Sequence, residues 1–115
     1  MLSCVRNTGS ALLRLDTPRA RGVAYSIVRV DVHDASAYGE YARIASQAVA
    51  EHGGEFLVRG GAAVQLEGEG RQRNVIIKWP DTATARKFYQ GESYQEALRH
   101  GLPASTRDYV VVEGV

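Results

Sequence analysis

From residue 23 onward, apolar and polar positions follow two alternating periods, and the period names each element. "AYSIVRVDV" (24–32) alternates in twos, with Ala24, Ser26, Val28, Val30 and Val32 on one side and Tyr25, Ile27, Arg29 and Asp31 on the other, which is a strand. In "ASAYGEYARIASQAVAEH" the period changes: Tyr38, Tyr41, Ala42, Ala45, Ala48, Val49 and His52 recur at helical spacing. Asp34 stands where an N-cap belongs and Gly53 where a left-handed stop belongs. "EFLVRGGAAVQLEGE" reads as a long strand bent at Gly60-Gly61, and "EGEGRQR" as the turn of a hairpin. "NVIIKW" returns and is stopped by Pro80. "DTATARKFYQ" is a second helix capped by Asp81 or Thr82, with Ala85, Phe88 and Tyr89 inward. Gly91 breaks it, and Ser93 with Glu96 forms a capping box for a further turn or two, "YQEALRH". "TRDYVVVEG" is the last strand.

The order is β-α-β-β-α-β. Right-handed crossovers turn that order into an α+β, ferredoxin-like plait, a four-stranded antiparallel sheet with the helices on one face. The other face is expected to carry Tyr25, Ile27, Arg29 and Asp31 from the first strand. The second strand adds Leu57 and Arg59, or Phe56 and Val58 in the opposite phase. The third adds Ile76 and Lys78, or Val75, Ile77 and Trp79, and the fourth adds Arg107, Tyr109 and Val111. Such a face is too apolar for bare water, so a second copy of the chain is expected to cover it as a homodimer.

Composition narrows the class. At 115 residues the chain makes one domain with a real core, and its single Cys4 cannot form an internal bridge. No apolar run approaches the roughly 20 residues of a membrane helix, so no membrane role is expected and the chain reads as cytoplasmic. Residues 1–22 hold Arg6, Arg14, Arg19 and Arg21 against Asp16 alone, and read as a disordered extension. Without them, residues 23–115 carry ten basic and twelve acidic groups, a poor balance for neutralising phosphates, so nucleic acid is not an expected partner.

Few residues exceed what a scaffold needs. Arg59 closes a short alternating run between the glycine pairs Gly53-Gly54 and Gly60-Gly61. It can hold a carboxylate bidentately, or brace the strand against Asp31, Glu55 or Glu67. His52, at a helix C-terminus, can cap carbonyls or move a proton. Tyr38 and Tyr41 share a helix face and either pack on the sheet or orient a substrate. Trp79, Phe88, Tyr89 and Tyr94 suit a core, an interface or an apolar pocket, and Tyr109 is a further candidate contact. His33, His52 and His100 are too scattered for a metal site. No phosphate loop and no nucleophile–base–acid set occurs, and no cofactor is expected.

"AYSIVRVDVHDASAYGEYA", "AVAEHGGEFLVRGG", "NVIIKWPDTATARKFYQGESYQEAL" and "YVVVEG", in that order and spacing, resemble the small bacterial proteins of the domain of unknown function 1330 family over residues 23–115. The resemblance implies the dimeric α+β barrel superfamily, in which two plaits pair sheet to sheet around a cavity. That superfamily includes cofactor-independent monooxygenases, haem-degrading enzymes, isomerases and proteins that only bind, so it implies a fold, a dimer and a cavity without naming a reaction. Two function classes follow. One is an enzyme acting on a small anionic organic molecule, with Arg59 holding the anion, His52 or Tyr41 moving a proton, and Tyr38, Trp79 and Tyr109 contacting substrate. The other is a binding or dimerisation module without catalysis.

Overall fold

The computed structural model describes residues 22–115. The reading of residues 1–22 as a disordered extension lies, Gly22 apart, outside them. β1 (Ala24–Val32) leads to α1 (Ala35–Glu51), whose start is held by the Asp34 carboxylate accepting from Ala37 N at 3.1 Å. Gly53 follows the helix with φ 80°, the left-handed stop. β2 (Glu55–Arg59) and β3 (Arg73–Trp79) come next. Then follow α2 (Thr82–Gln90), capped by Asp81 on Thr84 N at 2.7 Å, α3 (Glu92–Ala104), and β4 (Ser105–Glu113).

All neighbouring strands run antiparallel, in the order β2-β3-β1-β4. The helices cover one face, where Val28, Val30, Ile77, Trp79, Phe88 and Tyr94 form the core. This is a ferredoxin-like α+β fold.

Four local expectations are corrected. The second strand stops at Arg59, and residues 60–72 run as an exposed, irregular excursion with no long strand in them. Its return is tied down by polar contacts: Arg71 meets Asp31 at 3.0 Å and Asp108 at 2.8 Å, and Gln72 N donates to Asp31 at 2.8 Å. The Ser93–Glu96 capping box does not form, because Gly91 ends α2 and begins α3 at once, leaving Ser93 inside the helix. That third helix is also longer than the two turns expected, running through Pro103 to Ala104.

The fourth correction concerns which way two strands face. Tyr109 lies opposite Val28, and Arg107 opposite Val30, so both point toward the helices, as does Val111 opposite Ser26. β4 therefore shows Asp108, Val110 and Val112 to the open face. Its "VVV" run made either phase apolar, and the choice rests on partners that Arg107 finds beneath the helices. In β2 neither phase holds throughout. A bulge between Phe56 and Val58 sets Phe56 opposite Ile77 and Arg59 opposite Val75, which brings both to the helix side.

Candidate functional site

The bulge and the inward phase of β4 together build a cavity of about 40 Å³ between α1, α3 and the sheet of a single chain. It lies on the helix side, not between paired sheets. Apolar walls come from Val28, Ala45, Val49, Phe56, Ile77 and Phe88; polar groups come from Tyr38, Tyr41, Tyr94, Tyr109, Arg59 and Arg73, with Ser46 at α1. No carboxylate lines it among the described residues.

Arg107 stands behind two of these tyrosines. Its Nη2 donates to the Tyr41 hydroxyl at 2.9 Å and to the Tyr94 hydroxyl at 2.7 Å, and the two hydroxyls are 2.8 Å apart. Its guanidinium also lies 4.7 Å from the centroid of the Tyr41 ring. Nη1 of Arg107 is buried without a hydrogen-bond partner, and so is Nε of Arg73. Burial opposes the charge of Arg107, yet the surrounding tyrosine oxygens outweigh it and hold its pKa above the ordinary guanidinium value. Burial likewise raises the Tyr94 phenol far above its usual range, with Tyr41 adding to the effect. Tyr38 is raised in the same sense by burial and by Tyr41. These phenols stay protonated at neutral pH and act as donors.

Two glycines make room for this arrangement. A Cβ on Gly101 of α3 would come within 2.5 Å of the Tyr41 ring, so the helix must be bare there for the ring to reach Arg107. A Cβ on Gly60, at φ 74°, would strike the Arg73 guanidinium. Gly60 thus admits an arginine side chain as well as ending a strand.

Tyr38, Tyr41 and Tyr109 line the cavity, and Arg59 stands at its edge. The Arg59 guanidinium lies 4.3 Å from the Phe56 centroid and donates to the Ser46 hydroxyl; the brace to Asp31, Glu55 or Glu67 is not formed. Tyr109 also walls a shallower outer groove of about 210 Å³ with Arg86, Tyr89, Gln90 and Val111.

Trp79 and His52 are not brought to the cavity. Trp79 is 1% exposed, and its indole N–H donates to Ser26 Oγ at 2.8 Å, with Ser26 in turn 2.9 Å from the Tyr109 hydroxyl. His52 caps α1, its Nδ1 donating to the Ala48 carbonyl at 2.8 Å, and rests edge-on against Phe88.

Arg73 and Arg107 were not among the expected site residues, and Tyr94 was expected only as an aromatic of a core, an interface or an apolar pocket. One signal pointed to Arg73: it shares the parity of Val75, Ile77 and Trp79, an arginine continuing an inward apolar stripe. Among the described residues no group of three metal-ligating side chains occurs, and no helix is long and apolar enough to cross a membrane.

Comparison with solved structures supports the architecture. A protein of unknown function from Rhodopseudomonas palustris matches with a TM-score of 0.69 at 19% identity, over 83% of this chain and 84% of the other. A dimeric protein of unknown function and ferredoxin-like fold from Bacteroides fragilis gives 0.58 at 12%, over 82% and 98%. SnoaB, a cofactor-independent oxygenase from Streptomyces nogalater, gives 0.51 at 13%, over 82% and 94%. At these identities the likeness is one of fold. No curated protein matches the chain. The profile of the domain of unknown function DUF1330 matches residues 23–115, and the chain belongs to that family.

Proposed function

We propose that the cavity between helices and sheet binds a small organic anion. The observation that carries this reading is its imbalance: arginines and phenols converge on one partly open cavity with no carboxylate among its described lining. Buried charge is costly unless it is paired, and a guanidinium with idle N–H groups is paired most economically by a carboxylate. The volume admits about three waters. It therefore suits a carboxylate-sized head group, and any larger body leaves past Arg59 or presses on Phe56 and Phe88.

Acetate and its neutral isostere acetamide test the charge requirement by thermal shift. Acetate is expected to raise the melting temperature and acetamide is not. At about 100 times its dissociation constant a ligand adds about 2.7 kcal/mol, several degrees in a domain of this size. Arg73→Met is expected to remove the response and Arg59→Met to weaken it. Equal responses to acetate and acetamide would sink the reading.

A second reading, turnover without a tightly bound cofactor, is favoured by one observation. Tyr41 faces the cavity with a guanidinium at its oxygen, a geometry suited to giving a proton to a developing oxyanion. In this scheme Tyr41 is the proton donor, Tyr38 and Tyr109 contact the substrate, and Arg59 guides the anion at the edge. His52 would act only if the end of α1 moved. SnoaB lends the fold as a precedent and nothing about the substrate.

We also propose that a second copy covers the open sheet face, in the cytoplasm. Val58, Ile76, Ile27 and Val110 sit opposite one another in a single apolar row across all four strands, with Val110 51% exposed. A monomer by light scattering at micromolar concentration would overturn this assembly.

A further inference from the structure

Counting protons around the cavity sharpens the ligand class. Tyr41 and Tyr94 own two hydroxyl protons, and the single bond between their oxygens uses one of them. Arg107 donates to both oxygens and accepts from neither. One phenolic proton is therefore left without an acceptor. Both rings are buried and both line the cavity, which can supply the missing acceptor. The Ser26–Tyr109 pair has the same surplus: two hydroxyl protons and one bond between them, with Trp79 acting only as a donor. The two pairs differ in charge. Arg107 bonds the first, whereas the Tyr109 hydroxyl meets the neutral Ser26 hydroxyl, which the Trp79 indole N–H holds in turn.

Guanidinium Nε of Arg73 is a further idle donor at the same cavity wall. Donors thus come in two kinds, a cationic N–H group on β3 and a neutral O–H group backed by a buried cation beneath α1 and α3. A carboxylate answers the first, and a second oxygen beside it answers the other. We infer that the ligand is an oxo acid: an organic acid whose carboxylate meets Arg73 and whose neighbouring carbonyl or enolate oxygen accepts the surplus proton of the Tyr41–Tyr94 pair. The inference rests on the anion-binding reading above. Tyr41, Tyr94 and Arg107 then form a specificity device, with Arg107 polarising the hydroxyls without needing to touch the ligand. Gly101 is its positioning residue, since only there can the Tyr41 ring pass close to α3.

Pyruvate and isobutyrate form the probe pair, because a methyl group replaces the keto oxygen at an equal count of heavy atoms. Binding is measured by calorimetric titration on the wild type, on Tyr41→Phe/Tyr94→Phe and on Tyr109→Phe. Pyruvate is expected to bind the wild type about tenfold more tightly than isobutyrate, the difference expected when one buried donor is left unpaired. The double variant, which keeps both rings and loses both hydroxyls, is expected to abolish that preference while still binding both acids. Tyr109→Phe is expected to keep it. Equal affinities in the wild type overturn the oxo-acid assignment and leave the anion site standing. A preference that survives the double variant but is lost in Tyr109→Phe moves the carbonyl to the other pair and overturns the assignment to Tyr41 and Tyr94. No binding of either acid, in wild type or variants, takes down the anion site as well.

Discussion

Arg71 and Arg107 are neighbours across one strand, and they solve the same problem in opposite ways. Asp108 of β4 points to the open side and meets Arg71 at 2.8 Å, while Asp31 meets it at 3.0 Å. Arg107, one residue earlier, points beneath the helices and meets only phenols, with one nitrogen buried and unpartnered. The first arginine is matched by carboxylates at the rim, where its side chain is 24% exposed and water shares the load. It is a brace for the end of the 60–72 excursion. The second sits where carboxylates would normally be required and finds none among the described residues. A brace is complete in the isolated chain; a site is recognised by what it still lacks.

Replacing Arg107 gives the largest contrast. Arg107→Met is expected to leave folding stability unchanged or higher, because a buried cation without a carboxylate is removed and a methionine of similar length fills its place. The same change is expected to weaken, without abolishing, the stabilisation by acetate, because Arg107 adds positive charge behind the phenols while Arg73 keeps the contact. Denaturant melts with and without acetate check both halves, and a large loss of stability in the absence of acetate would make Arg107 a brace after all.

Alkaline titration reads the phenols around it. Burial pushes Tyr109 up to about 12 from the usual 10, despite the lowering effect of its bond with Ser26. Between those values the unfolded chain has lost this proton while the folded chain keeps it. Stability is therefore flat below about pH 10 and falls as pH rises toward 12, by up to about 1.4 kcal/mol per unit for this tyrosine. Tyr94 and Tyr38, raised in the same direction, steepen the fall. Melting curves at pH 9 and pH 11 measure it, and coincident curves would mean that these hydroxyls are wetter than the structure has them.

The smallest effect belongs to the brace. Arg71→Met is expected to lower the melting temperature by a few degrees at most, less in high salt, and to leave the acetate response intact. Loss of the acetate response in this variant would erase the distinction between the two arginines.

Much of the scaffold was legible because it depends on neighbours in sequence. The alternation of residues 24–32, the helical spacing from Tyr38 to Val49, the caps at Asp34 and Asp81 and the stop at Gly53 are local chemistry, and each stands where the pattern puts it. Tyr38, Tyr41 and Tyr109 were also legible as residues worth noting, since tyrosines within amphipathic elements have a polar end to satisfy. Their meeting around Arg107 was not legible. Pairing Val30 with Arg107 and bringing Tyr41 within reach of Tyr94, 53 positions later, are long-range events that no local period encodes.

By itself, then, the sequence determined the order of elements, the plait, and the surplus of apolar groups on two faces of one sheet, because those follow from periodicity and from the handedness of crossovers. Tertiary structure alone decided three things: the phase of β4, the bulge that turns Phe56 and Arg59 to one side, and the meeting of Arg107 with two phenols and, among the described residues, no carboxylate. A strand with apolar residues in both phases settles its orientation by the hydrogen bonds its polar residues find across the core. Those partners, two phenols from separate helices, exist only once the chain has folded.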